Sequence, residues 1–265
     1  RSIKKCRAPE KAADCLQYER MYESGICEVE PGLFSMTMAF TDVNFQLARQ
    51  EEQKSLFTQY SEFLNYFDPD THLQISLVTR RVDEAEFRRD TFLPLRGDNR
   101  DRYSEEMNRV ISEKALQGQN GLIREKYITI SLHEDDYRKA QVRLLKRAED
   151  IQNLFKRMGS TVRRLSGIER LNLLHGITRP EEVMGFSYDW LLAEDSLTTK
   201  DFIAPSGYNW KPEHDDSRAV YNDRYQFGEY YGKVLYLRDI APQMKDNLLS
   251  LLSDLDFDNA ISIHV

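Results

Sequence analysis

Twice the sequence runs alternating, then helical, then alternating again, and that pattern limits the fold more than any other. In the first instance Met36, Met38 and Phe40 alternate, Leu56 to Phe67 carries an apolar stripe, and Leu73, Ile75 and Leu77 alternate again. In the last stretch, 232–265, Val234 to Arg238 is rich in β-branched and aromatic residues. Met244, Leu248, Leu251, Leu252 and Leu255 then repeat at helical spacing, and Ile261, Ile263 and Val265 alternate. Period two marks a half-buried strand and period 3.6 an amphipathic helix. Both helices run into a short acidic turn, and both following strands hold an Ile-Ser step. A helix between two strands of one sheet is a crossover, so this weak repeat predicts sheets covered by helices.

Taken in order, polar residues 1–24 predict a frayed arm or one short helix. A strand pair follows, 26–29 and 34–41, with Pro31-Gly32 as the turn signal. Leu56, Phe57, Tyr60, Phe63, Leu64 and Phe67 share one stripe of a helix that Pro69 ends. Strand 72–79, a charged loop over 80–102 and a helix from Ser104 to about Leu116 come next. Strand 126–132 should point Ile128, Ile130 and Leu132 inward. The longest helix, 135–158, carries Tyr137, Leu144, Ile151 and Met158 every seven residues, with Ala148 and Phe155 in the same seam. Gly159 stops it, and a strand at 161–165 and a helix at 164–175 follow.

This order predicts an α+β fold. Residues 25–176 read as a first domain, a split β-α-β (ferredoxin-like) sandwich with an inserted helix. Residues 177–232, with Pro180, Pro205, Pro212 and many aromatics, read as a long connecting segment. Residues 233–265 read as the start of a second, incomplete β-α-β unit. Its last strand, with one unpaired edge, either extends the first domain's sheet within the monomer or, as the favoured reading, pairs with another copy of the chain.

Length and composition fit one large or two small globular domains: 265 residues, 31% charged and 40% hydrophobic. No apolar run reaches bilayer length, and no signal peptide is visible. The first residue is Arg1, as expected of a segment of a longer protein. Cys6, Cys15 and Cys27 are an odd set with no C-x-x-C spacing, which predicts reduced thiols rather than a disulfide frame or zinc site. Residues 181–265 hold 7 Lys and Arg against 16 Asp and Glu, which leaves 30 against 28 upstream. An acidic C-terminal part argues against wholesale nucleic-acid binding there.

Motifs for chemistry are few. A P-loop needs Gly five positions before Gly-Lys-Ser/Thr. The only Gly-Lys is Gly232-Lys233, where Phe227 and Val234 stand in the required places. No G-x-G-x-x-G occurs. Asp68-Pro-Asp70 opens like a calcium loop but has Leu73 where glycine is required, so it reads as a helix-ending turn. His214-Asp215-Asp216 lacks a second histidine nearby. The acids of His133-Glu134-Asp135-Asp136 suit a helix N-terminus, and His264 has no evident catalytic partner. These patterns predict no catalytic, cofactor-binding or metal residue.

Two features point to binding instead. Between Arg138 and Arg170 there are ten Lys and Arg but three acids. On the long helix Lys139, Arg143, Lys146, Arg147 and Arg157 lie largely away from the seam, as a docking surface would. The second is the stretch from Tyr208 to Tyr231, where Trp210, Tyr221, Tyr225, Tyr230 and Tyr231 form a candidate aromatic interface.

Gly25-Ile-Cys27, the segment Lys200-Asp-Phe-Ile-Ala-Pro-Ser-Gly-Tyr208, and Val234-Leu-Tyr-Leu-Arg-Asp239 with Ile261-Ser-Ile-His264 resemble the N-terminal region of VirB/TrbE/CagE-type conjugative transfer ATPases. The likeness is strongest to versions on integrative conjugative elements of Gram-positive bacteria, and runs from about Tyr22 to Val265. It implies a non-catalytic assembly and docking domain of a type IV secretion motor, cytoplasmic and peripheral at the inner face of the cell membrane. The implied partners are inner-membrane channel subunits and the parent's own C-terminal ATPase domain; self-association is expected from the strand edge alone. ATP and magnesium are expected only for the parent, whose P-loop domain would lie beyond Val265. No small-molecule substrate is expected. The rival reading is a free-standing nucleic-acid-binding module of ferredoxin-like fold, whose sheet should expose stacking aromatics. The outward positions of strand 126–132 are Tyr127, Thr129 and Ser131, with one aromatic among them.

Overall fold

The computed structural model describes residues 12–81, 88–89, 91–115, 122–179, 188, 190, 198–204, 225–227, 230–236, 251–252, 254–255 and 257–265. After a 3-10 turn at Ala12–Cys15 come β1 (Arg20–Met21), β2 (Ile26–Glu30), β3 (Leu33–Phe40), α1 (Gln50–Asn65) and β4 (Thr71–Arg81). Then follow α2 (Asp101–Ala115), β5 (Leu122–His133), α3 (Tyr137–Arg157), β6 (Val162–Arg164) and α4 (Gly167–Thr178). The chain closes with α5 (Thr199–Ile203), β7 (Tyr225–Phe227), β8 (Tyr230–Gly232) and β9 (Asn259–His264). The class is α+β.

The chain divides into two compact units, each made from discontinuous segments. One holds 1–34 and 166–244, the other 35–165 and 245–265. This division differs from the one composition suggests. The N-terminal arm, expected as a frayed arm or one short helix, forms the short 3-10 helix at Ala12–Cys15 and buries Tyr18 and Met21. The expected first domain loses its last helix, α4, to the other unit, and gains β9.

In the 35–165 unit the strands lie in the order β6, β3, β5, β4, β9. β4 runs antiparallel to β5 along its whole length, Thr71 opposite Leu132 through Arg81 opposite Leu122. β6 is antiparallel to β3, with Met38 opposite Arg164. Ile128, Ile130 and Leu132 are fully buried, as their alternation predicts. Against that face α3 lays Ala140, Leu144, Ala148, Ile151 and Phe155, all buried, at i, i+4, i+8, i+11 and i+15. Phe155 meets Phe40 edge-on at 5.3 Å and Phe63 of α1 at 5.0 Å. Both ends of α3 are closed by local chemistry. The Asp136 carboxylate accepts from the Arg138 amide at 3.2 Å. At the other end Gly159, with φ 81°, sits in the left-handed region. Its amide donates to Lys156, and that of Ser160 donates to Phe155, the paired bonds of a Schellman motif. α2 begins at Asp101 rather than Ser104. The Asp101 carboxylate takes the amides of Arg96 and Gly97 at 2.8 and 2.7 Å, which anchors the turn before the helix.

The other unit has a small core of Tyr18, Met21, Cys27, Leu171 and Ile203, flanked by Leu16, Val29, Leu174, Tyr188 and Trp190. β1 and β2 form an antiparallel pair, Arg20 opposite Glu28, turned at Gly25 with φ 85°. α4 is capped by the box Ser166/Glu169, whose side chains each accept the other's amide. Its Arg170 is half-buried and donates to the Gly25 carbonyl at 2.8 Å; burial lowers the guanidinium's proton affinity. The C-terminal end of α4 grips α5: Thr178 donates to the Ile203 carbonyl at 2.7 Å and Arg179 to that of Ala204 at 2.8 Å. The Tyr18 hydroxyl lies 3.0 Å from that of Thr199, and burial pushes the phenol up to about 12.

The closing β-α-β unit is corrected in two ways. Residues 233–236 form no strand, and Val234, Leu235 and Tyr236 are exposed. β propensity is fit to a pleated, half-buried surface, and no neighbour supplies that surface here among the described residues. Residues 237–250 lie outside the described residues. The final strand exists, but its partner is in the same chain: β9 is antiparallel to β4, Gln74 opposite His264 through Thr79 opposite Asn259. The expected pairing of this strand with another copy gives way, on this edge, to an added strand of the monomer's own sheet.

Candidate docking surfaces

Helix geometry sorts the five candidate cations of α3. At about 100° per residue, Lys139, Lys146 and Arg157 fall within roughly 20° of one another, opposite the buried seam, while Arg147 falls at the seam's flank. Their surroundings follow. Lys139, Lys146 and Arg157 are exposed. Arg147 is half-buried and ion-paired to Asp68 in the turn after α1. It also donates to the Tyr66 hydroxyl at 3.3 Å and lies 5.5 Å from that ring's centre. Tyr66 in turn donates to Asp150 at 2.6 Å, a bond that raises its phenol above the ordinary value, with burial adding to it. Arg143 pairs with Glu134, whose side chain is 16% exposed.

Arg143, itself exposed, and the half-buried Arg147 are thus engaged within the fold, while Lys139, Lys146 and Arg157 lie together on the exposed side of the helix. Asp68 of the acidic turn and Glu134 before α3 are the carboxylate partners of these two arginines. Reversing either arginine to Glu should cost about 1–3 kcal/mol, because a carboxylate loses its counter-charge and faces a like charge. Reversing Lys139 or Lys146 should stay within about 0.5 kcal/mol. Urea midpoints of the four single variants check this.

The expected aromatic interface is largely out of view. Trp210 and Tyr221 lie outside the described residues, as do the side chains of Tyr225 and Tyr230, whose backbones pair in β7–β8. Tyr231 is exposed.

A surface that the sequence pattern does not reveal is on α1. Its stripe looks like core, yet Phe63 is its only buried residue. Phe57 is 68% exposed, and Tyr60 is exposed as well. The Gln53 amide donates to the Phe45 carbonyl at 2.9 Å, which holds Phe45, also exposed, one helical turn from Phe57. Leu47 beside it is 83% exposed. The signal that marks this surface is crowding. A helix with five large apolar residues cannot bury all of them against one neighbour, and α3 takes the Phe63 side.

The outer face of the sheet is polar. Thr37 and Thr129 share a 2.8 Å hydroxyl contact. Gln74 donates to Ser76 and Ser262 at 3.0 and 3.1 Å. His72 and His133 stand edge-to-face at 6.4 Å. Tyr127, the one aromatic expected for base stacking, is 7% exposed, and burial raises its phenol. No helix among the described residues is long and apolar enough to cross a membrane.

Some described residues of the segments that carry the family resemblance are part of the core. Cys27 and Ile203 share one core, and Lys200 lies 5.3 Å from the centre of the Tyr18 ring. No family model and no curated protein matches the sequence.

Proposed function

We propose that this chain is a non-catalytic assembly domain of a type IV secretion conjugation ATPase, holding the motor against an inner-membrane channel subunit. The observation that carries the reading is the exposed apolar stripe of α1 with Phe45 and Leu47 beside it. Clustered aromatic and aliphatic side chains of this kind anchor protein interfaces. The resemblance at 25–27, 200–208, 234–239 and 261–264 supplies the family, and the absence of P-loop spacing in the sequence supplies the non-catalytic part. In this reading ATP and magnesium belong to the parent's own ATPase domain. The rival nucleic-acid module is disfavoured by the burial of Tyr127 and by the ion pairs that occupy Arg143 and Arg147.

The 35–165 unit is read as a ferredoxin-like split β-α-β sandwich. Its elements run β3-α1-β4, then α2, then β5-α3-β6, and its four strands lie in the order fourth, first, third, second. That order supports the reading, with β9 as an added strand.

The test is Phe57→Asp. The side chain is exposed, so melting should move by no more than about 0.5 kcal/mol. Recovery of channel subunits with the parent protein from detergent-solubilised membranes should fall at least about tenfold, as for loss of an anchor residue, and conjugative transfer should fall with it. A folded variant with full recovery and normal transfer sinks the proposal.

A further inference from the structure

β9 uses one edge, and the other is open among the described residues. The Val265 amide donates to the Leu73 carbonyl at 2.9 Å. In an antiparallel ladder alternate residues face the partner strand. Asn259, Ile261 and Ile263 therefore turn their backbone groups toward β4, as Val265 does. Ala260, Ser262 and His264 turn theirs the other way. Among the described residues no strand pairs with that side.

Sheet edges are ordinarily blunted by charge, proline or a bulge. This one has none of the three. The strand reads Asn-Ala-Ile-Ser-Ile-His, and its register with β4 runs unbroken. We infer that the open edge of β9 pairs with the same edge of a second copy of this chain, antiparallel across a two-fold axis at Ser262.

The strand's own pattern selects that occupant. Ile263 stands opposite Ile75, and Ile75 opposite Ile128 of the buried face. A joined sheet that keeps its apolar faces on one side must set odd-numbered residues opposite odd-numbered ones. The register that uses the whole strand puts Ile261 opposite Ile263 of the second copy and Ser262 opposite Ser262. Ala260 then meets His264. The pairs that exchange backbone bonds are Ser262 with itself and Ala260 with His264, the residues whose backbones face the edge. The isoleucines fall in the other class of pair, where side chains lie closest. No charged side chain meets a like charge, and the two imidazoles sit at opposite ends. The inference stands apart from the docking role of α1.

Sedimentation equilibrium of the 265-residue chain, with amide exchange measured over the same concentrations, tests it. Dimer should grow with concentration. Protection at the Ala260, Ser262 and His264 amides should grow with it, while Ile261, Ile263 and Val265 stay protected throughout. Ser262→Pro removes an outward amide and no bond to β4, so association should weaken by about tenfold or more. Ser262→Ala, which loses the same side-chain contacts, should dimerise as the parent does. A monomer at all concentrations overturns the inference. So does a dimer whose edge amides exchange freely, a reading that holds even if the proline variant fails to fold. Dimerisation undiminished in a folded Ser262→Pro overturns it too.

Discussion

Phe155→Ala should lower the stability of the 35–165 unit by about 3–5 kcal/mol, the usual cost of emptying a buried aromatic site. Its ring is where three elements meet. It reaches Phe40 of β3 at 5.3 Å and Phe63 of α1 at 5.0 Å, both nearly edge-on. Edge-to-face pairs add about 0.5–1.5 kcal/mol each beyond area burial. Phe63 also meets Phe67 at 5.3 Å, so the hole cannot close by a shift of one ring. α1 depends on this contact more than its length suggests, because Phe63 is its single buried residue. Loss of Phe155 should therefore loosen α1 first. Urea unfolding with amide exchange along α1 reads both effects. A loss under about 1 kcal/mol, with α1 still protected, would mean that the helix is held elsewhere.

The seam of α3 was legible because its spacing has one solution. Leu144, Ala148, Ile151 and Phe155 share a face only in a helix, and Ile128, Ile130 and Leu132 share one only in a strand. Each periodicity pointed to the same core. Gly159 was legible as a stop because a left-handed residue after a helix is most often glycine. The stripe of α1 shows where periodicity runs out. It states that side chains share a face, and it does not state how much neighbour there is to cover them.

Arg147 shows a second limit. Its charge is plain in the sequence, but its counter-charge, Asp68, is far along the chain and reaches it through the packing of α1 on α3. Local reading assigns such a residue to solvent by default. The stretch 233–236 shows a third. Val234, Leu235 and Tyr236 have strand-forming side chains, and a strand also needs a partner edge. β9 obtained one at β4, far upstream, and its own pattern says that it will be a strand without saying beside what. The candidate site was less legible than the fold for this reason. Docking surfaces are defined by what remains uncovered, which is a property of the whole packing.

Gly167→Ala should destabilise the 1–34 and 166–244 unit by about 3 kcal/mol, against the sign that helix propensity predicts. Gly167 is the first residue of α4, and alanine is worth about 1 kcal/mol over glycine within a helix. Space decides otherwise. A Cβ there would lie 2.3 Å from the Tyr22 carbonyl oxygen, 2.8 Å from Cζ2 of Trp190 and 3.0 Å from the Glu23 Cα. Two of the three are backbone and cannot rotate away. The helix cannot retreat freely either, because the Gly167 amide donates to the Glu23 carbonyl at 2.9 Å and Arg170 holds the Gly25 carbonyl at 2.8 Å. Overpacking of this kind costs about 1–3 kcal/mol when side chains can yield, and the fixed backbone, with these two hydrogen bonds to be displaced, sets the expectation at the top of that range. Gly176 supplies the control. It lies in the same helix, and a Cβ added there would meet nothing within 4 Å, so Gly176→Ala should stabilise by about 0.5–1 kcal/mol. Opposite signs from two Gly→Ala changes in one helix would show that the β1–β2 turn is pressed onto the start of α4. Equal, small gains would show that it is not, and would remove the physical reason for glycine at 167.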